Sequence, residues 1–152
     1  MARRNGRKGL NFGVGSMSAR SPYETTEGMD ILVIEDDAIM REALSEWLTA
    51  AGFQVRTAED GNAGLAQLNA RVPKLVVTDV YMPGVSGAVV IAELRNRFPA
   101  VAIIAISGLF TSGYGIDAAA AVALGAARAL AKPFTRAEFL AAVNDVLGPP
   151  TP

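Results

Sequence analysis

Ile31-Leu32-Val33-Ile34-Glu35-Asp36-Asp37 sets four apolar residues directly against three carboxylates. A continuous apolar tetrad suits a strand buried on both faces, and such strands belong to parallel sheets covered by helices. The acids then mark the strand's carboxyl end. Outward from this stretch, short apolar runs alternate with helical periods. Met40, Ala43, Leu44, Trp47, Leu48 and Ala51 fall on one helix face, with Gly52 as the cap beyond it. Phe53 to Ala58 reads as a second strand. Gly61 to Arg71 reads as a helix with Leu65 and Leu68 inward, stopped by Pro73.

The pattern then repeats. Leu75 to Thr78 is a third strand, and Met82-Pro83-Gly84 is a turn. Gly87 to Phe98 is a helix that buries Val90, Ile91, Leu94 and Phe98. Val101 to Ile106 is a fourth strand. A loop with Gly108, Gly113 and Gly115 leads to a helix from about Asp117 to Leu124, in a stretch where alanine fills nine of the fourteen positions from 118 to 131. Ala127 to Ala131 is a fifth strand. Thr135-Arg136-Ala137-Glu138 is a capping box opening a last helix that buries Phe139, Leu140, Val143 and Leu147. Five strand–helix units predict an α/β, doubly wound five-stranded parallel sheet with helices on both faces. Such a sheet places its site outside the carboxyl ends of its strands.

Composition narrows the chemistry. The 152 residues hold 14 basic and 15 acidic side chains, for a net charge of −1, and 51% are apolar, enough for one core. There is no cysteine and no histidine. Thiolate nucleophiles, disulfides, Cys or His zinc sites and Ser-His-Asp triads are excluded. Residues 1–28 carry five basic and two acidic groups (+3), and residues 29–152 carry nine and thirteen (−4). An acidic body argues against nucleic-acid binding by the domain. No apolar run reaches the ~18 residues of a membrane span, and no apolar segment follows the basic start as a signal peptide needs. The expectation is a cytoplasmic protein with a disordered basic tail over 1–28, an ordered domain over 29–148 and a short tail over 149–152. Met29 is an alternative start.

Each remaining strand end carries chemistry. Strand three ends in Asp79, strand four in Ser107 and strand five in Lys132. One edge therefore gathers several carboxylates, one hydroxyl and one ammonium. Clustered carboxylates repel unless a cation compensates, and an oxygen-ligated divalent ion such as Mg²⁺ does so. A carboxylate beside such an ion and a lysine is suited to phosphoryl transfer, with the cations neutralising the phosphoryl oxygens. Plainer readings stand beside these. An acidic triplet before a helix also serves as an N-cap, and Asp79 before Met-Pro-Gly also serves as a turn former.

Glu35-Asp36-Asp37 after its strand, Thr78-Asp79-Val80-Tyr81-Met82-Pro83-Gly84, Ala105-Ile106-Ser107-Gly108 and Ala131-Lys132-Pro133-Phe134 together resemble the receiver domain of two-component response regulators, over about residues 29–148. The resemblance implies a flavodoxin-like sheet of order 2-1-3-4-5 and a cis Lys132–Pro133 bond. It implies that Asp79 is the phospho-acceptor, Ser107 the switch hydroxyl and Lys132 the phosphate-binding lysine. Mg²⁺, or Mn²⁺ in its place, would be held by Asp36, Asp79, the Tyr81 backbone carbonyl and, through water, Glu35. The implied partners are a sensor histidine kinase or histidine phosphotransfer protein and a downstream protein target not named by the sequence, with a homodimer also open. The chain is then a single-domain response regulator, not an enzyme beyond self-catalysed phosphoryl acceptance and autodephosphorylation.

Three departures bear on this. Where the family has Tyr or Phe three residues before the lysine, this chain has Ala129. Its Ala127-Arg128 replaces the usual acidic pair, and the stretch between Ser107 and Lys132 is longer. The competing reading is a degenerate receiver acting as a phosphorylation-independent interaction module. A Mg²⁺-dependent phosphatase with an Asp nucleophile fits less well, because such enzymes want a second acid two residues on, where Tyr81 stands.

Overall fold

Apolar runs with no polar partner for their backbone must pair with one another, and they do so as five parallel strands. The computed structural model describes residues 30–110 and 117–148. Its elements are β1 (Asp30–Ile34), α1 (Ala38–Ala50), β2 (Gln54–Ala58), α2 (Gly61–Ala70), β3 (Leu75–Asp79), α3 (Gly87–Arg97), β4 (Ala102–Ser107), α4 (Ala118–Leu124), β5 (Arg128–Ala131) and α5 (Arg136–Leu147). The sheet order is β2-β1-β3-β4-β5, as the resemblance implies. The expected tails, and the loop with Gly113, Tyr114 and Gly115, lie outside the described residues.

Register follows burial. Ile31, Leu32, Val33 and Ile34 pair with Leu75, Val76, Val77 and Thr78, and Thr78 and Asp79 pair with Ala105 and Ile106. Alternate side chains feed two cores. Leu32, Ile34, Val76, Ile103 and Ala105 meet Leu68, Val90, Ile91, Leu94 and Ala121 from α2, α3 and α4. Ile31, Val33, Leu75, Val77, Ile104 and Ile106 meet Leu44 and Leu48 from α1 and Phe139, Ala142 and Val143 from α5. Three central strands sandwiched in this way explain the unbroken apolar runs, while edge strand β2 exposes Gln54 and Thr57.

Sequence expectations hold at the helix ends. Gly52 follows the C-cap Ala51 with φ +99°, and the Thr135–Glu138 capping box forms. Asp117 caps α4 rather than lying inside it, because its side chain accepts from the Ala120 N–H at 2.8 Å. Trp47 is half-buried at the margin, tilted against Phe139 at 6.1 Å. Leu65 and Phe98 are likewise half-buried rather than core.

At the amino end of the sheet, buried Asp30 accepts from Arg56 at 3.0 Å and from Arg71 at 3.1 Å, tying β1 to β2 and to the residue after α2. At the other end, the loop from Val80 to Ser86 is gripped by two glycines. A Cβ on Gly61 would stand 2.3 Å from the Val85 carbonyl oxygen, and one on Gly87 would stand 2.1 Å from that of Asp79. Both contacts are with backbone, which cannot swing aside. We expect Gly87→Ala to destabilise the fold by about 2 kcal/mol through overpacking. Gly108→Ala, whose Cβ would meet only the Lys132 Cβ at 4.0 Å, should change little. Urea unfolding of both variants checks this.

Candidate functional site

Glu35 is the first residue past β1, yet it is completely buried. Its N–H donates to the Ala58 carbonyl at 3.0 Å, which continues the β1–β2 ladder one residue beyond the strand. Val80 does the same toward Ile106 at 3.0 Å, and Lys132 toward Ser107 at 2.9 Å. Main-chain pairing therefore holds the backbone of the candidate site residues in addition to their side-chain contacts.

The side chains then converge. Lys132 Nζ donates to Glu35 Oε1 and to Asp79 Oδ2, each at 2.7 Å. The other oxygens are held by backbone: the Asp37 N–H donates to Glu35 Oε2 at 3.1 Å, and the Tyr81 N–H to Asp79 Oδ1 at 3.0 Å. Asp36 is exposed at the rim. One oxygen each from Glu35, Asp36 and Asp79 lie within 4.8 Å of one another. Ser107, 1% exposed, sits one position beyond the residue paired with Asp79, and its Oγ accepts from the Leu109 N–H at 2.9 Å. The Lys132–Pro133 bond is cis, as the resemblance implies.

Of the acidic triplet, two members and one bystander emerge. Asp37 is the N-cap of α1, accepting from the Ile39 N–H at 2.9 Å and the Met40 N–H at 3.1 Å. That is the plainer role an acid before a helix can take. Glu35 and Asp36 face the cluster with Asp79. With all three carboxylates ionised, one ammonium leaves the cluster two charges short of neutral, and every group in it that could ligate a metal offers oxygen. Such a set fits a hard divalent cation.

Burial is the largest influence on Glu35 and raises its carboxyl from 4.5 to about 7; the Lys132 hydrogen bond and the Asp37 N–H oppose it, and the charge on Asp79 adds to it. For Lys132 burial works against the ammonium, but the hydrogen bonds and charges of Asp79 and Glu35 outweigh it and hold the pKa above 10.5. Lys132 thus stays charged at neutral pH.

Sequence reasoning overlooked Arg41. Its Nη1 donates to the Glu35 carbonyl at 2.8 Å and reaches that of Asp36 at 3.5 Å. The readable signal is a cation at the positive end of α1, the wrong sign for the helix dipole. Ala129, opposite Ala105 on β5, is half-buried against the α2–α4 core, which includes Phe110.

Between pH 4.5 and about 7, folded Glu35 keeps a proton that the unfolded chain has lost. Its contribution to stability is therefore greatest below pH 4.5 and falls as pH rises to about 7. In EDTA, wild type should lose stability across this window relative to Glu35→Gln. Urea unfolding at several pH values measures it, and parallel curves would contradict it.

Comparison with known proteins adds the family. A family model of the response regulator receiver domain matches residues 31–144. The transcriptional regulatory protein FixJ of Azorhizobium caulinodans is 38% identical over 125 residues, covering 80% of this chain and 56% of that protein. The DNA-binding transcriptional regulator NtrC of Salmonella typhimurium is 33% identical over 115 residues, covering 75% of this chain and 24% of NtrC. The chain thus spans about a quarter to about half of these relatives. Among solved structures, the receiver domain of NtrX from Brucella abortus matches with a TM-score of 0.70 at 29% identity, covering 78% of this chain and 98% of that one. A response regulator receiver domain protein from Clostridium thermocellum matches with a TM-score of 0.68, also at 29% identity, covering 78% and 93%. A match of that extent, on a sheet of the expected strand order, makes this chain a member of the response regulator receiver domain family.

Proposed function

We propose that the domain is a phosphorylation-controlled signalling module in which Asp79 accepts a phosphoryl group. The supporting observation is the single ammonium of Lys132 shared between Glu35 and Asp79 beside Asp36. A carboxylate oxygen of Asp79 forms the new O–P bond as the donor's bond to phosphorus breaks, and the donor leaves with that electron pair. These 152 residues hold no histidine, so the donor lies outside them: the phosphohistidine of a sensor kinase or phosphotransfer protein, or a small acyl phosphate. Receiver domains of response regulators interact with such kinases and phosphotransfer proteins.

Asp36, Asp79, the Tyr81 carbonyl and, through water, Glu35 would hold Mg²⁺ or Mn²⁺. When bound, the ion supplies positive charge for the phosphoryl oxygens. Lys132 supplies a second, fixed charge, kept protonated by its two carboxylate partners. Tyr81 N–H orients one Asp79 oxygen. Ser107 has its acceptor side engaged by Leu109, so its own proton is available to a phosphoryl oxygen. Hydrolysis of the acyl phosphate would reset the domain. The intact Asp79, Ser107 and Lys132 set favours this reading over a phosphorylation-independent module. Among the described residues no helix is long and apolar enough to cross a membrane, and a cytoplasmic site of action accords with that.

Incubation with Mg²⁺ and acetyl phosphate should add one phosphate to wild type and none to Asp79→Asn, read by intact mass; a full adduct on the variant would remove Asp79 as acceptor. Mg²⁺ at ten times its dissociation constant should stabilise wild type by about 1.4 kcal/mol, and Asp36→Ala much less. Thermal melts with and without Mg²⁺ measure that difference.

A further inference from the structure

We infer that Arg41 is a positioning residue that aims the carboxylate loop and thereby sets its cation affinity, an inference that rests on reading Glu35, Asp36 and Asp79 as a divalent-cation site. Asp36 is the exposed member, and no hydrogen bond among the described residues holds its carboxylate. The backbone alone therefore sets where its Cα–Cβ bond points, and with it the positions its carboxylate can reach. The peptide joining Glu35 to Asp36 lies beyond the β1 ladder, which ends with Ile34 paired to Ala58 and Thr78. On the amino side this turn is anchored by the Glu35 N–H on Ala58 at 3.0 Å. At the peptide itself the anchor is Arg41, whose Nη1 lies 2.8 Å from the Glu35 carbonyl oxygen. The 3.5 Å approach to the Asp36 carbonyl is too long to hold by itself, so the Glu35 carbonyl is the contact that matters.

The placement is electrostatically unfavourable. Arg41 is in the first turn of α1, where the helix dipole disfavours a cation, and it stands beside a site that would bind another. As a charge alone, Arg41 weakens cation binding, and removing it should tighten that binding. As a positioning group it does the reverse. The sign of the change separates the two roles.

The test uses the full chain and Mg²⁺ itself, with Arg41→Met to keep the aliphatic stem and Arg41→Lys to keep a donor within reach of the carbonyl. Isothermal titration should show Mg²⁺ affinity falling about tenfold in R41M, as for groups that orient metal ligands, with most of it restored in R41K. Melting temperatures in EDTA should stay close to wild type. Unchanged or tighter Mg²⁺ binding in R41M overturns the inference. So does a fall shared by R41K and matched by a lower melting temperature in EDTA, which would mean a structural role. Failure of wild type to bind Mg²⁺ at all would overturn the cation-site reading beneath it.

Discussion

One ammonium group between two buried carboxylates organises the carboxyl edge of this sheet. Lys132 follows β5, Glu35 follows β1 and Asp79 ends β3, so the two 2.7 Å contacts of Nζ draw three of the five strands to a common point. Without that charge, two desolvated anions would face each other. With it, Glu35 is still pushed up to about 7 by burial, a sign that one lysine compensates the cluster only in part. A deficit of that sign is what a further cation would offset.

The sheet makes this arrangement affordable by extending its ladder past the strands. Glu35, Val80 and Lys132 each donate a backbone N–H to the neighbouring strand or its end. The site therefore borrows rigidity from the core without occupying it. The amino end of the sheet is solved in the opposite sense, with a single acid, Asp30, serving two guanidinium groups, from Arg56 and Arg71. There the positive charge is in excess, so the two ends of the sheet differ in the sign of what they leave uncompensated.

Much of this could be read from residue order. Continuous apolar runs in β1, β3 and β4 announced strands covered on both faces, and the strand-end positions of Asp79, Ser107 and Lys132 announced a shared edge. Periodicity was less informative where burial is partial, as for Trp47, Leu65 and Phe98, because a helix face grades into solvent rather than ending sharply. Which acid of the triplet caps α1 could not be read at all, since adjacent carboxylates differ only in the direction the chain turns them. Arg41 escaped notice for a related reason. Its partners are carbonyl oxygens, which every residue has, so nothing in the neighbouring side chains signals the contact.

The turn closed by Ser107 has a consequence for what the site can recognise. A hydroxyl owns one hydrogen and two lone pairs, and here the Leu109 N–H already occupies a lone pair. An oxyanion arriving at the edge can take the hydrogen while the turn stays closed, so engagement adds a bond and exchanges none. A visitor that could only donate would share the oxygen with the Leu109 N–H through the second lone pair and leave the hydrogen unused. The turn thus holds the Ser107 oxygen in place through the Leu109 N–H, and that arrangement exists before any ligand comes near.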